Sequence, residues 1–400
     1  MSVYLLTTLD TKGPEAAFVR DRLRALGVPV TVVDTGCIGQ PAFPGEVTRE
    51  QVFAAAGTSL AAMLQRQDRG AAVTQAAAGA AQLVQAAFAR GELDGVLALG
   101  GSAGTTIGTT AMRTLPIGVP KVMVSTLASG QVHPWVGNKD ILMLNSVVDI
   151  AGLNRISRRI LANAASAMAG MVLHQAPDAA EDRPVVAATM FGVTTPCVLR
   201  AREVLEEAGY EVLVFHATGS GGQAMESLIA DGLIAGVLDI TTTELADELV
   251  GGILTAGPNR LTAAAQCGVP QVVSVGALDM VNFGPPETVP EKFRSRQFYQ
   301  HNPTVTLMRT TVEENAALGR EIGRKVAAST GPAALLVPLR GVSAIDREGQ
   351  PFDDPQARQA LLAGLRQQHG MIELRELDCH INDPEFAEAA ARKLIELMQK

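Results

Sequence analysis

The segment LALGGSAGTTIGTTAMR (97–113) combines the residue types that bind phosphate. Its apolar start is typical of a buried strand, and a helix is expected after the turn. Glycines let the backbone turn sharply and approach a ligand closely, and the free N–H groups at a helix start attract an anion. The hydroxyl side chains add more donors than helix capping needs. We therefore predict a phosphate site formed by Gly100, Gly101, Ser102, Gly104, Thr105 and Thr106.

Two further strand ends carry polar residues that suit a nucleotide. The first strand ends in TTLDTKGPE (7–15), where Pro14 fits the first turn of a helix and Asp10 is a candidate cap. Lys12 beside threonines is also what a polyphosphate or a Mg²⁺-phosphate attracts. The second strand ends in DTG (34–36), whose acidic residue could bind a ribose hydroxyl. From these two ends we predict cofactor contacts by Thr8, Asp10, Lys12, Thr35 and Gly36.

Some nucleotide-binding and enzyme motifs are missing or incomplete. The sequence has no Gly-Lys dipeptide, which excludes a Walker A loop, and the first loop lacks G-x-G-x-x-G. Ser102 does satisfy G-x-S-x-G, so a serine esterase is an alternative. Such an enzyme needs an acid and a histidine downstream, and the available pairs are Asp149 with His174 and Asp239 with His301.

The second half of the chain has its own polar strand ends. The segment HATGSGGQAME (216–226) again combines a strand end, a glycine loop and a helix start. His216 has the residue type for proton transfer near neutral pH, although a histidine at a strand end often only makes hydrogen bonds. The candidate catalytic residues are His216, Glu226 and Asp239. We predict a second small-molecule site from Thr194, Thr195, His216, Gly221, Gly222, Glu226, Thr241, Thr242 and Thr243.

Composition and charge narrow the class of protein. The chain has 400 residues, 47% of them hydrophobic, a net charge of −8 and no long Lys/Arg block, which argues against a nucleic-acid partner. Its four cysteines lie far apart, so we predict no structural zinc or other metal site and no disulfide framework. The N-terminus turns polar too early for a signal peptide, and the most apolar helical segment (71–88) is too polar to span a membrane. We expect a cytoplasmic protein without a membrane partner.

Apolar strand-like runs alternate with amphipathic helical runs along the whole chain, which is the pattern of parallel sheets with crossover helices. The predicted strands are 3–8, 28–34, 94–100, 121–126, 184–190, 210–216, 235–240, 271–276, 333–339 and 372–377. Helices are predicted at 14–26, 150–173 and 198–208, among others. Most strands are apolar throughout, as strands covered on both faces should be.

The two halves of the chain are similar in sequence. Residues 14–34 align with 196–216 at one constant offset, and two later pairs of segments match in the same order. These pairs are DGVLALGG (94–101) with AGVLDITT (235–242), and IGVPKVMVS (117–125) with CGVPQVVSV (267–275). We predict an internal duplication, with extra helices inserted in the first half between Cys37 and Ala72. Convergent α/β patterning is the alternative.

The fold class that follows is α/β, with two Rossmann-like domains whose parallel sheets are flanked by helices. HQAPDAAEDRP (174–184) has the composition of a linker. We therefore predict a nucleotide-binding domain at 1–175 and a second domain, with the second ligand site, at 184–400. The last two strands are expected to complete the second sheet, although a return to the first domain is an alternative.

With these motifs in view, the chain resembles the bacterial, fungal and plant family typified by the N-terminal inhibitory domain of the tomato mosaic virus resistance protein. The segments that carry the resemblance span essentially the whole chain: TTLDTKGPE (7–15), ALGGSAGTT (98–106), FHATGSGGQAME (215–226), VPLRGVSAID (337–346), GQPFDDP (349–355) and CHINDPEFA (379–387). The resemblance implies two Rossmann-like domains, a homodimer, and ATP bound near Thr8, Asp10, Lys12 and the 100–106 loop. It implies no reaction.

The prediction from sequence is an ATP-binding two-domain protein, with or without Mg²⁺, whose biochemical role is unassigned. One alternative is an enzyme that acts on a small anionic metabolite in the second-domain loops, with ATP as co-substrate or effector. A further alternative is an interaction protein in which the nucleotide only stabilises the fold. Two polar, glycine-rich clusters favour the enzyme over the interaction protein, because an interaction surface needs no phosphate site.

Overall fold

The computed structural model describes residues 1–174 and 183–399, and the chain divides into two compact units, Met1–Asp178 and Ala179–Lys400. Most of the predicted linker at 174–184 lies outside the described residues. Each unit has a parallel sheet flanked by helices, which confirms the predicted α/β fold class. Within the described ranges, no helix combines the length and apolar character that crossing a membrane requires.

The first unit is built on a five-stranded parallel sheet. Its strands are β1 (Ser2–Thr7), β2 (Val30–Asp34), β3 (Leu93–Gly100), β4 (Lys121–Ser125) and β5 (Leu142–Asn145). They lie in the order β2-β1-β3-β4-β5, so the chain extends the sheet on both sides of β1. All but β5 were predicted. The sequence of β5, LMLN, is short and only partly buried, so it lacks the pattern of a buried strand.

Helices cover both faces of this sheet. They are α1 (Leu9–Ala25), α2 (Arg49–Ala55), α3 (Leu60–Arg66), α4 (Arg69–Ala89), α5 (Ser102–Arg113), α6 (His133–Val136) and α7 (Arg155–Leu173). Side chains of α2, α4 and α5 form one apolar core with the sheet, and those of α1 and α7 form the other. Helices α2 and α3 are the insertion predicted between Cys37 and Ala72. Helix α7 begins later than predicted because Asn154 caps it, accepting from the amides of Ile156 and Ser157 at 2.9 Å.

The second unit has a six-stranded parallel sheet with a matching topology. Its strands are β6 (Val185–Met190), β7 (Glu211–His216), β8 (Gly236–Thr241), β9 (Gln271–Gly276), β13 (Ala333–Pro338) and β14 (Glu373–Leu377). Their order is β14-β13-β9-β8-β6-β7. Taken from the β7 edge, the first five strands repeat the order of the first unit, as the duplication predicts. Strands β13 and β14 complete this sheet, so a return to the first domain is wrong.

A small antiparallel sheet is inserted between β9 and β13. It contains β10 (Met280–Phe283), β11 (Phe298–Asn302) and β12 (Val305–Arg309), in the order β10-β12-β11. It was not predicted, because these strands are short and β11 is polar and largely exposed. The helices of this unit are α8 (Thr195–Glu207), α9 (Ser220–Ala230), α10 (Glu244–Val250), α11 (Ala263–Cys267), α12 (Val312–Ala327), α13 (Pro355–Gln368) and α14 (Pro384–Met398), with single 3₁₀ turns at Gly192–Thr194, Pro286–Thr288 and Glu291–Phe293.

Candidate functional site

The carboxyl ends of β1 and β3 lie side by side at the point where the connections of the first sheet diverge. Helix α1, after β1, packs on one face of the sheet, and α5, after β3, packs on the other. Doubly wound folds bind ligands at such a switch point. A cavity of about 220 Å³ lies here, and its lining includes the predicted residues Thr8, Asp10, Lys12, Thr35, Gly100, Gly101, Ser102 and Gly104.

Helix α5 begins at this cavity with backbone donors that have no partner. Its first hydrogen bond runs from the amide of Thr105 to the carbonyl oxygen of Gly101, at 2.8 Å. The amides of Ser102, Ala103 and Gly104 make no hydrogen bond within the described part of the chain, and no side chain caps them. Helices α2, α3, α4 and α7 of the same unit all have a side-chain cap. The start of α5 is therefore suited to binding an anion.

The glycines of this loop have different roles. A Cβ on Gly100 would lie 2.8 Å from the Cα of Gly104, and a Cβ on Gly104 would lie 3.1 Å from the carbonyl oxygen of Leu99. These two glycines allow the helix to start close to the strand. A Cβ on Gly101 would meet only the Thr126 hydroxyl oxygen, at an ordinary 3.7 Å. The fold does not require a glycine at position 101, whereas a ligand that closely approaches the backbone would.

Two positively charged side chains line the cavity. Lys12, which was predicted, donates from Nζ to the carbonyl oxygen of Ile150. This bond uses one of the three N–H groups of its ammonium. Arg69, the first residue of α4, was not predicted; it is exposed and makes no hydrogen bond or ion pair with the residues that the structure describes. The sequence around Arg69 does not indicate a binding site, because Arg69 reaches the cavity only through the packing of α4.

The two carboxylates near the cavity bind groups of the protein itself. Asp34 accepts from the amide of Leu9 at 3.1 Å and from Arg49 Nε at 2.7 Å. Asp10 lies inside α1 instead of capping it, and accepts from the amide of Ile38 at 2.8 Å. These bonds hold the loop after β2 against the start of α1. Asp34 is thereby occupied and buried, which argues against the predicted contact with a ribose hydroxyl.

Three of the predicted cofactor contacts do not line the cavity. The Thr105 side chain is buried, and its hydroxyl hydrogen-bonds to the Ser125 hydroxyl at 2.6 Å. The Thr106 hydroxyl donates to the carbonyl oxygen of Ser102 at 3.0 Å. Gly36 is buried within the loop after β2, where a Cβ would lie 2.7 Å from the Asp10 carboxylate. These residues shape the loops, and we correct their predicted role accordingly.

Ser102 does not have the geometry of a serine esterase. Its exposed hydroxyl makes no hydrogen bond within the described ranges. His174 follows α7, whose 19 residues run back along the sheet from the carboxyl edge over roughly 28 Å, so this histidine lies at the opposite end of the unit. Asp239, from the other proposed pair, is bound to a buried arginine as described below. The esterase alternative is not supported.

The thiol of Cys37 is a further group in the cavity lining. Burial raises the pKa of this thiol, and the carboxylate of Asp10 raises it further. Cys37 therefore stays protonated near neutral pH, which disfavours a role as nucleophile, since the thiolate is the reactive form.

The corresponding strand ends of the second unit hold a buried cluster of charges. Arg260 is fully buried and donates to Asp239 through two hydrogen bonds of 2.6 and 2.7 Å. It also donates to Glu244 at 2.6 Å and forms an ion pair with Glu226 at 3.4 Å. Asp239 was predicted as a catalytic candidate, but this pairing gives it a structural role. Arg260 and Glu244 were not predicted as site residues.

The glycine loop at the start of α9 already has an anion, supplied by the protein. Glu244 Oε1 accepts from the amides of Gly219 at 2.7 Å and Gly222 at 3.1 Å. Burial raises the pKa of Glu244, while the neighbouring Arg260 lowers it. A Cβ on Gly222 would lie 2.2 Å from this carboxylate. The anionic group predicted for this loop is thus a side chain of the chain itself.

Glu226 was predicted to take part in proton transfer, and its contacts differ from that prediction. It accepts from the amides of Leu261 at 2.6 Å and Ala263 at 2.7 Å. The amide of Ala263 is the first of α11 and that of Leu261 lies just before the helix, where backbone donors would otherwise lack partners. Glu226 therefore serves as a cap for α11.

The threonines predicted to contact a second ligand are inaccessible. Thr194, Thr241, Thr242 and Thr243 are fully buried. The hydroxyls of Thr194 and Thr241 hydrogen-bond to each other at 2.8 Å, and that of Thr242 donates to the carbonyl oxygen of Ser274 at 3.0 Å. Their hydroxyl groups form hydrogen bonds within the fold.

The remaining predicted residues of the second unit are not gathered around a site either. His216 is exposed, and its ring packs edge-on against Phe191 at a centroid distance of 5.6 Å. The Thr195 hydroxyl donates to the carbonyl oxygen of Phe191 at 3.2 Å. Gly221 is required by packing, because a Cβ there would lie 1.9 Å from the carbonyl oxygen of His216. The structure therefore corrects the prediction of a second small-molecule site in these loops.

Comparison with solved structures yields only distant similarity. The UDP-bound MnaA of S. aureus covers 98% of this chain at 10% identity, and the match covers 95% of that protein. Its TM-score of 0.22 is too low to support any conclusion about this chain.

Sequence comparison, in contrast, gives matches of much higher identity. A protein of Clostridium tetani described as a UPF0261 protein is 50% identical over 400 residues, covering 100% of this chain and 99% of its own length. The tomato mosaic virus resistance protein Tm-1 of Solanum lycopersicum is 46% identical over 316 residues, covering 77% of this chain but 42% of the tomato protein. The second match confirms the resemblance proposed from the sequence motifs.

Family models account for both units. The model of the uncharacterised protein family UPF0261 N-terminal domain matches residues 1–177, and the model of its C-terminal domain matches residues 183–398. The two matches together cover nearly the whole chain. The chain therefore belongs to the uncharacterised protein family UPF0261.

Proposed function

We propose that the first unit binds ATP, with or without Mg²⁺, and that the phosphate groups lie on the start of α5. The observation that carries the proposal is the set of open amides at Ser102, Ala103 and Gly104, which border a cavity at the β1/β3 switch point. These donors and the helix dipole favour an anion. The choice of ATP rests on the family resemblance described above.

The residues around the start of α5 can each contact the phosphates of the nucleotide. The bare backbone of Gly101 lets phosphate oxygens approach the amides. Lys12 has N–H groups left for a phosphate besides the one bound to Ile150. Arg69 makes no hydrogen bond or ion pair with the described residues, and its guanidinium can bind phosphate with two hydrogen bonds. The exposed hydroxyl of Ser102 adds one neutral donor.

Thermal unfolding in the presence of Mg-ATP tests the proposal. At about one hundred times its dissociation constant, the ligand should stabilise the folded chain by roughly 2.7 kcal/mol and raise its melting temperature. Gly101→Val should abolish this increase, because the new side chain occupies the place of the phosphate. The unliganded variant should melt close to the parent, since the fold leaves room for a Cβ at this position.

Gly170→Val is the matched control. Gly170 lies in α7, and a Cβ there would have no neighbour within 4 Å. This variant should keep the full response to Mg-ATP. Absence of any melting shift in the parent protein at millimolar Mg-ATP would overturn the proposal.

The dimeric state and the cytoplasmic location stay predictions. Light scattering that yields the monomer mass of 41.8 kDa over a wide range of concentrations would contradict the dimer.

A further inference from the structure

The phosphate cavity is too small for a whole nucleotide, and a second cavity continues from it. Sites for small molecules commonly measure about 300–1,000 Å³, whereas the phosphate cavity measures about 220 Å³. The adjoining cavity also measures about 220 Å³ and shares Cys37, Ile38 and Arg69 with the first. A ligand that occupies both would pass between the loop after β2 and the start of α4.

The second cavity has a different chemistry from the first. Its walls include the aliphatic side chains of Ile38, Met63, Leu64 and Ala72, together with the polar residues Gln67 and Asp68. Ile38 is 65% exposed and Leu64 is 50% exposed, so these two side chains present apolar surface that a ligand could cover. Met63 is unbranched and adapts readily to the shape of a neighbour. A flat apolar ring fits this lining better than a phosphate group does.

Arg69 lies at the boundary of the two cavities with no partner among the described residues. A guanidinium can bind phosphate oxygens at its edge and stack its plane on an aromatic ring. One residue can therefore contact both the charged and the aromatic part of a single ligand.

One of the helices that form the second cavity is specific to the first unit. Met63 and Leu64 belong to α3, which is part of the insertion absent from the second unit. The duplicated strands and loops thus provide the phosphate end, and the insertion adds an apolar extension next to it.

We infer that the cavity between Ile38 and α3 binds the base and ribose of the nucleotide, while its phosphates lie on α5. This inference rests on the proposed function, because it requires a ligand that also has phosphates. A third cavity of about 370 Å³ shares Cys37, Ile38 and Leu64 with the second cavity, and its lining also includes the charged residues Asp34, Arg49 and Glu50. Arg69 lines the first and second cavities but not the third, and this favours the second cavity for the base and ribose.

Calorimetric titration with Mg-ATP and with inorganic tripolyphosphate tests the inference on the full chain. The parent should bind ATP more tightly than tripolyphosphate. Leu64→Asn should weaken ATP binding by about tenfold, the value expected for losing most of one buried aliphatic contact, and leave tripolyphosphate binding unchanged. Because Leu64 is half-exposed, the variant should fold, and Leu64→Ala provides a milder second variant.

Leu60→Asn is the matched control, since Leu60 lies one turn earlier in the same helix and lines the third cavity but not the second. It should leave ATP binding unchanged. Equal ATP affinity in the parent and both Leu64 variants, or equal losses in the Leu60 and Leu64 variants, would overturn the inference while the proposed function stands. Failure of the parent to bind either ligand would overturn both.

Discussion

In the first unit, the loop after β3 leaves three amides open to a cavity, whereas in the second unit the matching strand ends close over a buried arginine and its carboxylates. The two sheets share one strand order, and the switch point lies at the same place in both. In the second unit, Thr241 stands where the repeat puts Gly100, and its hydroxyl is bonded inside the fold.

This difference shows that strand order sets where a site can form, and that side chains decide whether it forms. An unsatisfied helix start attracts an anion from any source, including the protein. At α9 of the second unit the anion is Glu244, held by Gly219 and Gly222. At α5 of the first unit, no side chain of the described residues takes this position, so a soluble ligand can.

The largest expected effect comes from removing the buried cation. Arg260→Met leaves Asp239 and Glu244 buried without their partner, and loss of one partner of such a cluster costs about 3–5 kcal/mol of unfolding free energy. Urea unfolding followed by circular dichroism should show an early transition of the second unit. Fluorescence of the single tryptophan, Trp135, should report an unchanged first unit.

Arg69→Met makes the same substitution in the first unit and serves as the control. Arg69 is exposed and unpaired within the described ranges, so the unfolding free energy should change by less than about 0.5 kcal/mol, while binding of Mg-ATP weakens. Similar losses of stability in the two variants would contradict the contrast between the units.

A smaller effect is expected from adding one methyl group at each glycine loop. Gly222→Ala forces a Cβ against the Glu244 carboxylate, which two amides and Arg260 hold in place, and should cost about 1–3 kcal/mol. Gly101→Ala should leave stability within about 0.5 kcal/mol of the parent and weaken Mg-ATP binding. Chemical unfolding and calorimetry measure the two quantities. A loss of stability in Gly101→Ala, or unchanged stability in Gly222→Ala, would contradict the difference between the two loops.

The smallest effect concerns pH. Burial raises the pKa of Asp247 to about 7, although its carboxylate accepts from the side-chain amide of Asn282 at 2.7 Å. In the unfolded chain an aspartate has a pKa of about 3.9. Between these values the folded state keeps a proton that the unfolded state loses, so stability falls as pH rises. Between pH 6 and pH 7 the loss should stay below about 1.4 kcal/mol.

The side chain in Asp247→Asn cannot titrate. The unfolding free energy of this variant should therefore not show the fall between pH 6 and pH 7 that Asp247 causes. Asp21→Asn is the control, since Asp21 is exposed and its hydrogen bond from Arg20 lowers its pKa. The parent and the Asp21 variant should lose the same stability over this range. An identical pH dependence in the Asp247 variant and the parent would show that Asp247 is already ionised at pH 6.

Site residues that directly follow a strand could be predicted from the sequence, because the strand end determines their position. The glycine loop at 100–104 and Lys12 were predicted to share a site, and both line the same cavity. Arg69 could not be found in this way, since it reaches the cavity through the packing of α4. Arg260 was missed for the same reason, as it lies between β8 and β9 and pairs with acids from three separate segments.

The sequence by itself determined the two α/β units, ten of their strands and the loop on which an anion is expected, because hydrophobic periodicity and glycine placement are local properties. Tertiary structure alone decided which glycine loop stays open. The loops at the starts of α5 and α9 both contain glycines and hydroxyl side chains. Only folding brings the Glu244 carboxylate onto the amides of the α9 loop. A buried donor must find an acceptor somewhere in the fold, and local sequence does not show whether that acceptor is a distant side chain or a ligand.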